Sequence, residues 1–290
     1  DHFCFASSRM PRLSCSFFFF FFVFVGFTSC SQADNCRSPS TKSALLVIDV
    51  QGCFLPGGSL AVPESEEIVP LIREIRDTHP WDLVVYSQDA HPPHHVSFAS
   101  SHDKKNVFDS HELTYLLGKD GSTKLCSGGS GPFYETYPEV VSKCDERTDV
   151  LMTVTQTLWP DHCVASTSPY LISRELLKGE EGERVVQKGT LPLVDSYSAF
   201  FDNLRLSQTN LHSILQENEI TDIFVVGLAR DYCVFYTAMD GASLGYNTFF
   251  VWDATRGISE ATEKKALEEM LGSSISIIHS HHLPSFFPSN

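Results

Sequence analysis

Three side chains of this sequence could together make a nucleophile: Asp49, Lys188 and Cys233. A thiol attacks as its thiolate, and a desolvated carboxylate beside it can take the proton. A lysine next to both would hold the carboxylate in place and stabilise the thiolate. Cys233 opens a helical pattern over residues 233–244, directly after an apolar run at 223–228. It would therefore face unpaired backbone N–H groups and the positive end of a helix dipole, and both favour thiolate over thiol. Taken singly, each residue has a plainer reading. The cysteine could be a small buried hydrophobe, Asp49 a helix cap and Lys188 half of a surface ion pair.

A second group lies in Asp89-Ala90-His91-Pro92-Pro93-His94-His95, which sets a carboxylate and an imidazole two residues apart, with another imidazole, His95, four further on. His162 could complete a carboxylate–histidine metal site. Such ligands suit Zn, Fe or Mn, and the residues do not choose among them. The alternative is a solvated loop that happens to be rich in histidine, since the chain holds 12 of them. In either case the expectation is a surface loop on which the core does not depend.

These residues need elements to bring them together. Apolar strand patterns occupy 44–50, 83–87, 184–188, 223–228, 247–252 and 274–279. Helical patterns occupy 64–77, 168–177, 206–218, 233–244 and 260–271; in the first of these, Ile68, Leu71, Ile72 and Ile75 share one face. Strands alternating with helices predict an α/β protein, an open parallel six-stranded sheet with helices on both faces. Asp49, Asp89 with His91, Lys188 and Cys233 then each fall at or just past the carboxyl end of a different strand. That edge is where open parallel sheets bind ligands. Four reactive groups converging there outweigh the plain reading of each. The stretch 100–148, with Gly128-Gly129-Ser130-Gly131, reads as an irregular surface insertion with thin apolar content.

With 290 residues, 42% of them hydrophobic, the chain can bury a full core. Its formal charge of −15 argues against nucleic acid or an anionic membrane surface as a partner. From Met10 the sequence runs through Arg12 into residues 17–27, apolar apart from Gly26, and then Ser29-Cys30-Ser31-Gln32-Ala33. That is the layout of a secretory signal cleaved after Ala33. The apolar run falls short of the ~20 residues a membrane span needs, so no stable membrane association is expected after cleavage. Residues 1–33 are thus expected to be a signal peptide, with 1–9 upstream translation or a fragment artefact, and 34–43 a linker. The product would be secreted, or intracellular if the leader does not function. Of nine cysteines, six follow the leader, and Cys126 and Cys144 could pair across the glycine-rich loop. Nothing in the sequence speaks to oligomeric state.

Several blocks resemble the nicotinamidases of the isochorismatase-like cysteine hydrolase family. They are Leu46-Val47-Ile48-Asp49-Val50-Gln51 through Phe54, Ser87-Gln88-Asp89-Ala90-His91-Pro92 through Phe98, and residues 158–164. Val186-Gln187-Lys188-Gly189-Thr190, residues 195–202, and Gly227-Leu228-Ala229-Arg230-Asp231-Tyr232-Cys233-Val234 complete the set. They recur in the family's order and cover most of residues 44–260. The resemblance implies one hydrolase domain over 44–283, an Asp49/Lys188/Cys233 triad, and one divalent metal held by Asp89, His91 and His162. His95 would adjoin or ligate it; zinc is placed ahead of iron or manganese. It also implies a cis peptide before Ala229, which turns the amides of Ala229 and Cys233 into an oxyanion hole. The implied substrate is nicotinamide, with Phe54 and Trp159 against its ring. Two residues depart from the family's usual pattern, Ala90 and Arg230. Both sit beside the chemistry and bear on substrate preference more than on reaction type. Two other classes stand beside this expectation. Another amide hydrolase of the family would not need the metal loop, which is intact here. A secreted binding protein on this fold would be expected to lose a triad member, and none is lost.

Overall fold

The computed structural model describes residues 41–287 other than 146 and 179–182. The expected leader, residues 1–33, and most of the linker lie outside the described residues, as does Cys36. The chain enters β1 (Ser43–Ile48), crosses through α1 (Ser65–Thr78) to β2 (Leu83–Asp89), and then leaves the main sheet. It forms β3 (Ser110–Leu117), β4 (Thr123–Cys126), the short α2 (Pro132–Thr136), β5 (Val141–Ser142) and β6 (Leu151–Thr157). It returns as β7 (Glu183–Lys188), α3 (Leu211–Glu217), β8 (Asp222–Leu228), α4 (Phe235–Ser243), β9 (Asn247–Arg256), α5 (Glu260–Leu271) and β10 (Ser276–Ile278). The main sheet has six strands in the order β10-β9-β8-β1-β2-β7, every pair parallel.

Side-chain alternation along the central strands divides the core. Leu45 and Val47 of β1, with Phe224 and Val226 of β8, pack with Ile68 and Ile72 of α1. Ala44, Leu46 and Ile48, with Ile223 and Val225, pack on the opposite face with Leu211, Ala238 and Met270 of α3, α4 and α5. Both faces are covered, which is why these strands read as unbroken apolar runs. Where β8 passes β1 only glycine fits. Gly227 has φ +119° and pairs with Ile48, whose backbone a Cβ there would strike.

The structure corrects three expectations. Residues 100–148 are not irregular: with β6 they build a second sheet, β5-β4-β3-β6, over its own cluster of Val96, Leu113, Tyr115, Leu125 and Phe133. A sheet buried on one face needs only alternate apolar residues, such as Leu113 and Tyr115, so its apolar content looks thin. Residues 168–177 form a single 3₁₀ turn, Ser168–Tyr170, rather than a helix. Their carbonyls are used elsewhere: Pro169 O accepts from Cys53 N at 2.7 Å and Leu171 O from Gly52 N at 3.1 Å. α3 starts at Leu211 rather than 206, because the Asp202 carboxylate takes the N–H groups of Leu204, Leu206 and Ser207 and holds them as a loop.

Cys126 and Cys144 are disulfide-bonded, with Cα atoms 5.5 Å apart. Closing a loop of 18 residues stabilises by ~3 kcal/mol on the chain-entropy estimate. That gain falls on the second sheet. Reducing this bridge should speed hydrogen exchange across β3–β6 and leave exchange in β1 and β8 unchanged. Equal acceleration in the central strands would show that the two sheets open as one unit.

Candidate active site

The strand order reverses at β1, which has β2 on one side and β8 on the other. Ligands of such sheets bind at the carboxyl ends beside that reversal. Asp49 directly follows β1, Asp89 ends β2, Lys188 ends β7 and Cys233 follows β8. Asp89 and Lys188 are register partners on adjacent strands. The four groups meet.

Asp49 takes a left-handed conformation, φ 50°, which aspartate tolerates better than most residues. Its Oδ1 accepts from the Ser87 hydroxyl at 2.5 Å, and its backbone N–H donates to Ser87 Oγ at 3.0 Å. Lys188 is the hub. Its buried Nζ lies 2.9 Å from Asp49 Oδ2, 3.1 Å from Asp89 Oδ1, 2.9 Å from Ser196 O and 3.5 Å from Cys233 Sγ. A buried ammonium needs such compensation, and here two carboxylates and a carbonyl provide it.

Cys233 sits within a π-helical turn, Arg230–Val234, ahead of α4, with Val234 N donating to Ala229 O at 3.1 Å. The peptide between Leu228 and Ala229 is cis. The turn is clamped on both sides. Arg230 donates to Thr255 Oγ1 at 2.7 Å, pairs with Glu263 at 3.0 Å and lies over the Trp252 ring. Asp231 accepts from Ile258 N at 2.9 Å and Ser259 N at 3.3 Å. Arg230 thus points into the fold, where it holds the turn.

Electrostatics separate the roles of the two carboxyls. Burial raises Asp49, and Lys188 only partly opposes this. Burial would raise Asp89 too, but the neighbouring His91 and Lys188 charges and bonds from His162 and His91 hold it well below the ordinary range. Burial would lower Lys188, yet Asp49 and Asp89 outweigh it and keep the ammonium. Burial also pushes the Cys233 thiol well above its usual value; Lys188 opposes this, while Asp49 and Asp89 add to it. Burial and the two carboxylates thus act against the thiolate that the helix start favours, and Lys188 acts with it.

Asp89, His91 and His162 offer one carboxylate oxygen and two imidazole nitrogens, all within 4.8 Å of one another. Asp89 Oδ2 lies 3.0 Å from His91 Nε2 and 3.4 Å from His162 Nε2. The opposite nitrogens are occupied by backbone: His91 Nδ1 with Gly189 O at 3.0 Å and His162 Nδ1 with Pro160 O at 2.8 Å. Such outer bonds fix the tautomer that presents Nε2 to a metal. Gly189 is part of this packing, since a Cβ there would stand 2.6 Å from His91 Cε1. The donor set fits a divalent ion. All three residues are buried, so the surface-loop expectation is also corrected. His95 stacks on His91 with centroids 4.2 Å apart, and both its nitrogens are engaged, by Ser97 Oγ at 2.8 Å and Leu191 O at 2.9 Å. It adjoins the donor set.

Above these groups is a small pocket lined by both apolar rings and these polar groups. Phe54 and Trp159 are among its lining residues, as are Ala229 and Cys233. Tyr197, Tyr232 and Asp195 also line it and were missed, although each lies inside a block quoted above. Trp159 and Tyr232 meet edge to face at 4.8 Å, and the Tyr197 hydroxyl accepts from Trp159 Nε1 at 3.3 Å. A second disulfide, Cys53–Cys163, was missed as well. Its only local signal is that each cysteine neighbours an expected site residue, Phe54 or His162.

An isochorismatase domain model matches residues 136–280, half of the chain. A nicotinamidase from Acinetobacter baylyi is 33% identical over 253 residues, 87% of this chain and 96% of the relative. Among solved structures, a nicotinamidase/pyrazinamidase of Acinetobacter baumanii superposes with a TM-score of 0.67 at 30% identity, covering 85% of this chain and 100% of that one. A pyrazinamidase of Pyrococcus horikoshii in complex with zinc gives 0.55 at 28%, covering 82% and 99%. Domain match, near-complete coverage of these relatives and a shared sheet topology agree: the chain belongs to the isochorismatase-like hydrolase family, among its nicotinamidases.

Proposed function

We propose that the protein hydrolyses nicotinamide to nicotinate and ammonia through a thioester on Cys233. One observation carries this reading: Lys188 Nζ touches Asp49, Asp89 and Cys233 Sγ at once, beneath an aromatic-walled pocket. The thiol of Cys233 attacks the carboxamide carbon, and its proton passes to Asp49. The raised Asp49 carboxyl is suited to holding that proton and giving it to the departing ammonia. Water then attacks the thioester; Asp49 takes its proton and returns one to the sulfur. Lys188 keeps its charge throughout and balances whichever of Asp49 and the sulfur is anionic. The amides of Ala229 and Cys233 would receive the developing oxyanion.

A divalent ion held by Asp89, His91 and His162 would supply a Lewis-acid contact for the ring nitrogen of a pyridine carboxamide. Zinc is the ion proposed, supported by the zinc complex of the Pyrococcus relative and by the donor set; iron and manganese suit the same donors. Phe54, Trp159 and the two tyrosines form apolar walls for a flat ring.

The test is ammonia and nicotinate release from nicotinamide by purified, zinc-loaded protein. Turnover of other carboxamides without nicotinate formation would instead identify a sister amide hydrolase. Secretion is proposed alongside, supported by the Met10–Ala33 layout and by two disulfides in one chain. Sequencing the N-terminus of protein collected from culture medium decides it. A start near Asp34 agrees, and an intact leader on cytosolic protein overturns it.

A further inference from the structure

We infer that the buried cystine Cys53–Cys163 is a positioning cross-link for the pocket, so that substrate affinity depends on whether these two sulfurs were oxidised when the chain folded. This rests on the nicotinamide reading above. The two cysteines are 110 residues apart in sequence, with Cα atoms 5.3 Å apart. Each is the chain neighbour of a pocket residue. Cys53 precedes Phe54, an apolar wall, and Cys163 follows His162, one of the candidate metal donors. The Phe54 and His162 rings lie 5.5 Å apart, centroid to centroid.

The two loops are otherwise linked through shared neighbours, since Gln51, ahead of the Phe54 loop, exchanges hydrogen bonds of 3.0 and 2.8 Å with Asp89 at the β2 end. The Phe54 loop hangs on the segment after the metal donors: Gly52 N donates to Leu171 O and Cys53 N to Pro169 O. The His162 loop hangs on the β2 end, with His91 N donating to Cys163 O at 3.2 Å and Ala165 N to His91 O at 2.9 Å. Among the described residues, no hydrogen bond joins residues 52–62 to 158–165. The sulfur bridge is therefore the covalent tie between the apolar wall and the donor, added to their ring contact. Cys163 itself has φ 44°, a left-handed conformation that is uncommon for a residue other than glycine.

Forming the bridge takes two electrons and two protons from the thiols. A small-molecule disulfide can accept them, becoming two thiols in exchange. Cys53 and Cys163 are 0% and 2% exposed, so reagents do not reach them in the folded protein. The oxidation state is set during folding, by the compartment. Cys233, the free cysteine among the described residues, is buried and 3.5 Å from Lys188, apart from this pair in its contacts.

The experiment uses zinc-loaded protein with Cys126→Ser and Cys144→Ser, so that one bridge remains among the described residues. Peptide mapping without reduction, after Cys233 is alkylated, should find the Cys53 and Cys163 peptides linked; finding both alkylated overturns the inference. The same protein refolded under a phosphine, which reduces the bridge as it becomes phosphine oxide, is then compared with the oxidised form. Nicotinate affinity by calorimetry and KM for nicotinamide should each weaken about tenfold, ~1.4 kcal/mol, with kcat changed less than about twofold. A bridge that merely stabilised the fold would shift the melting midpoint and leave this KM-against-kcat split absent, and that result overturns the positioning role. Cys53→Ala/Cys163→Ala should show the weakened affinity in either redox condition. Unweakened affinity in it, or a residual response to reductant, also overturns the inference. If oxidised protein neither binds nicotinate nor releases ammonia, it is the nicotinamide reading that fails.

Discussion

Cys233→Ala should lower ammonia release from nicotinamide by at least about 10⁴-fold while nicotinate still binds. The sulfur is the group that forms a bond to the substrate in the proposed route, whereas the pocket walls and the candidate metal donors make no use of it. The variant should also fold. Lys188 retains Asp49, Asp89 and the Ser196 carbonyl as partners when the sulfur is removed. Asp49→Asn acts on the same proton path. The double variant should therefore be little worse than Cys233→Ala alone, since residues working as one unit are strongly non-additive. Steady-state ammonia release with calorimetry of nicotinate binding measures both halves. Turnover near that of the unmodified protein would defeat the covalent route.

Removing the metal should have the next largest effect. Dialysis against a chelator is expected to lower kcat/KM by at least ~100-fold, with recovery on adding zinc, because the ion is assigned the placement of the ring and misplacement by ~1 Å costs that much. His162→Ala is the better variant for this purpose. Its outer hydrogen bond is to Pro160 O in its own loop, so its loss stays local. His91 is 1% exposed, bonded to Gly189 O and stacked on His95, and replacing it would disturb the Asp89–Lys188 pair as well. His162→Ala should lose metal affinity by more than the 10–100-fold typical of an outer-shell change. Elemental analysis after dialysis reads this directly. The melting midpoint gives a readout apart from turnover, since zinc should raise it in unmodified protein and not in the variant. Full activity in metal-free protein would refute the assignment of Asp89, His91 and His162.

Local pattern was enough for the scaffold. Runs such as 44–48 and 223–228 are apolar at every position because both sheet faces are covered, and their ends placed Asp49, Asp89, Lys188 and Cys233 at one edge. The second sheet was not legible, since its strands alternate and carry half the apolar signal. The helix expected at 168–177 failed because its carbonyls bond a loop more than 100 residues earlier in the chain.

The sequence by itself determined which reactive side chains the protein owns and on which strand ends they stand, because strand pattern and residue type are local properties. What only the tertiary structure decided is how those groups act on one another. Lys188 belongs to the donor cluster as much as to the nucleophile, through contacts of 3.1 Å to Asp89 and 2.9 Å to Asp49. At Cys233 the pull of the helix start toward thiolate is opposed by burial and by the Asp49 and Asp89 charges and supported by Lys188, all brought in from other strand ends. Cys53 finds Cys163 across 110 residues. Proton affinity, metal fit and cross-linking depend on distances between elements, and those exist only once the sheet has assembled.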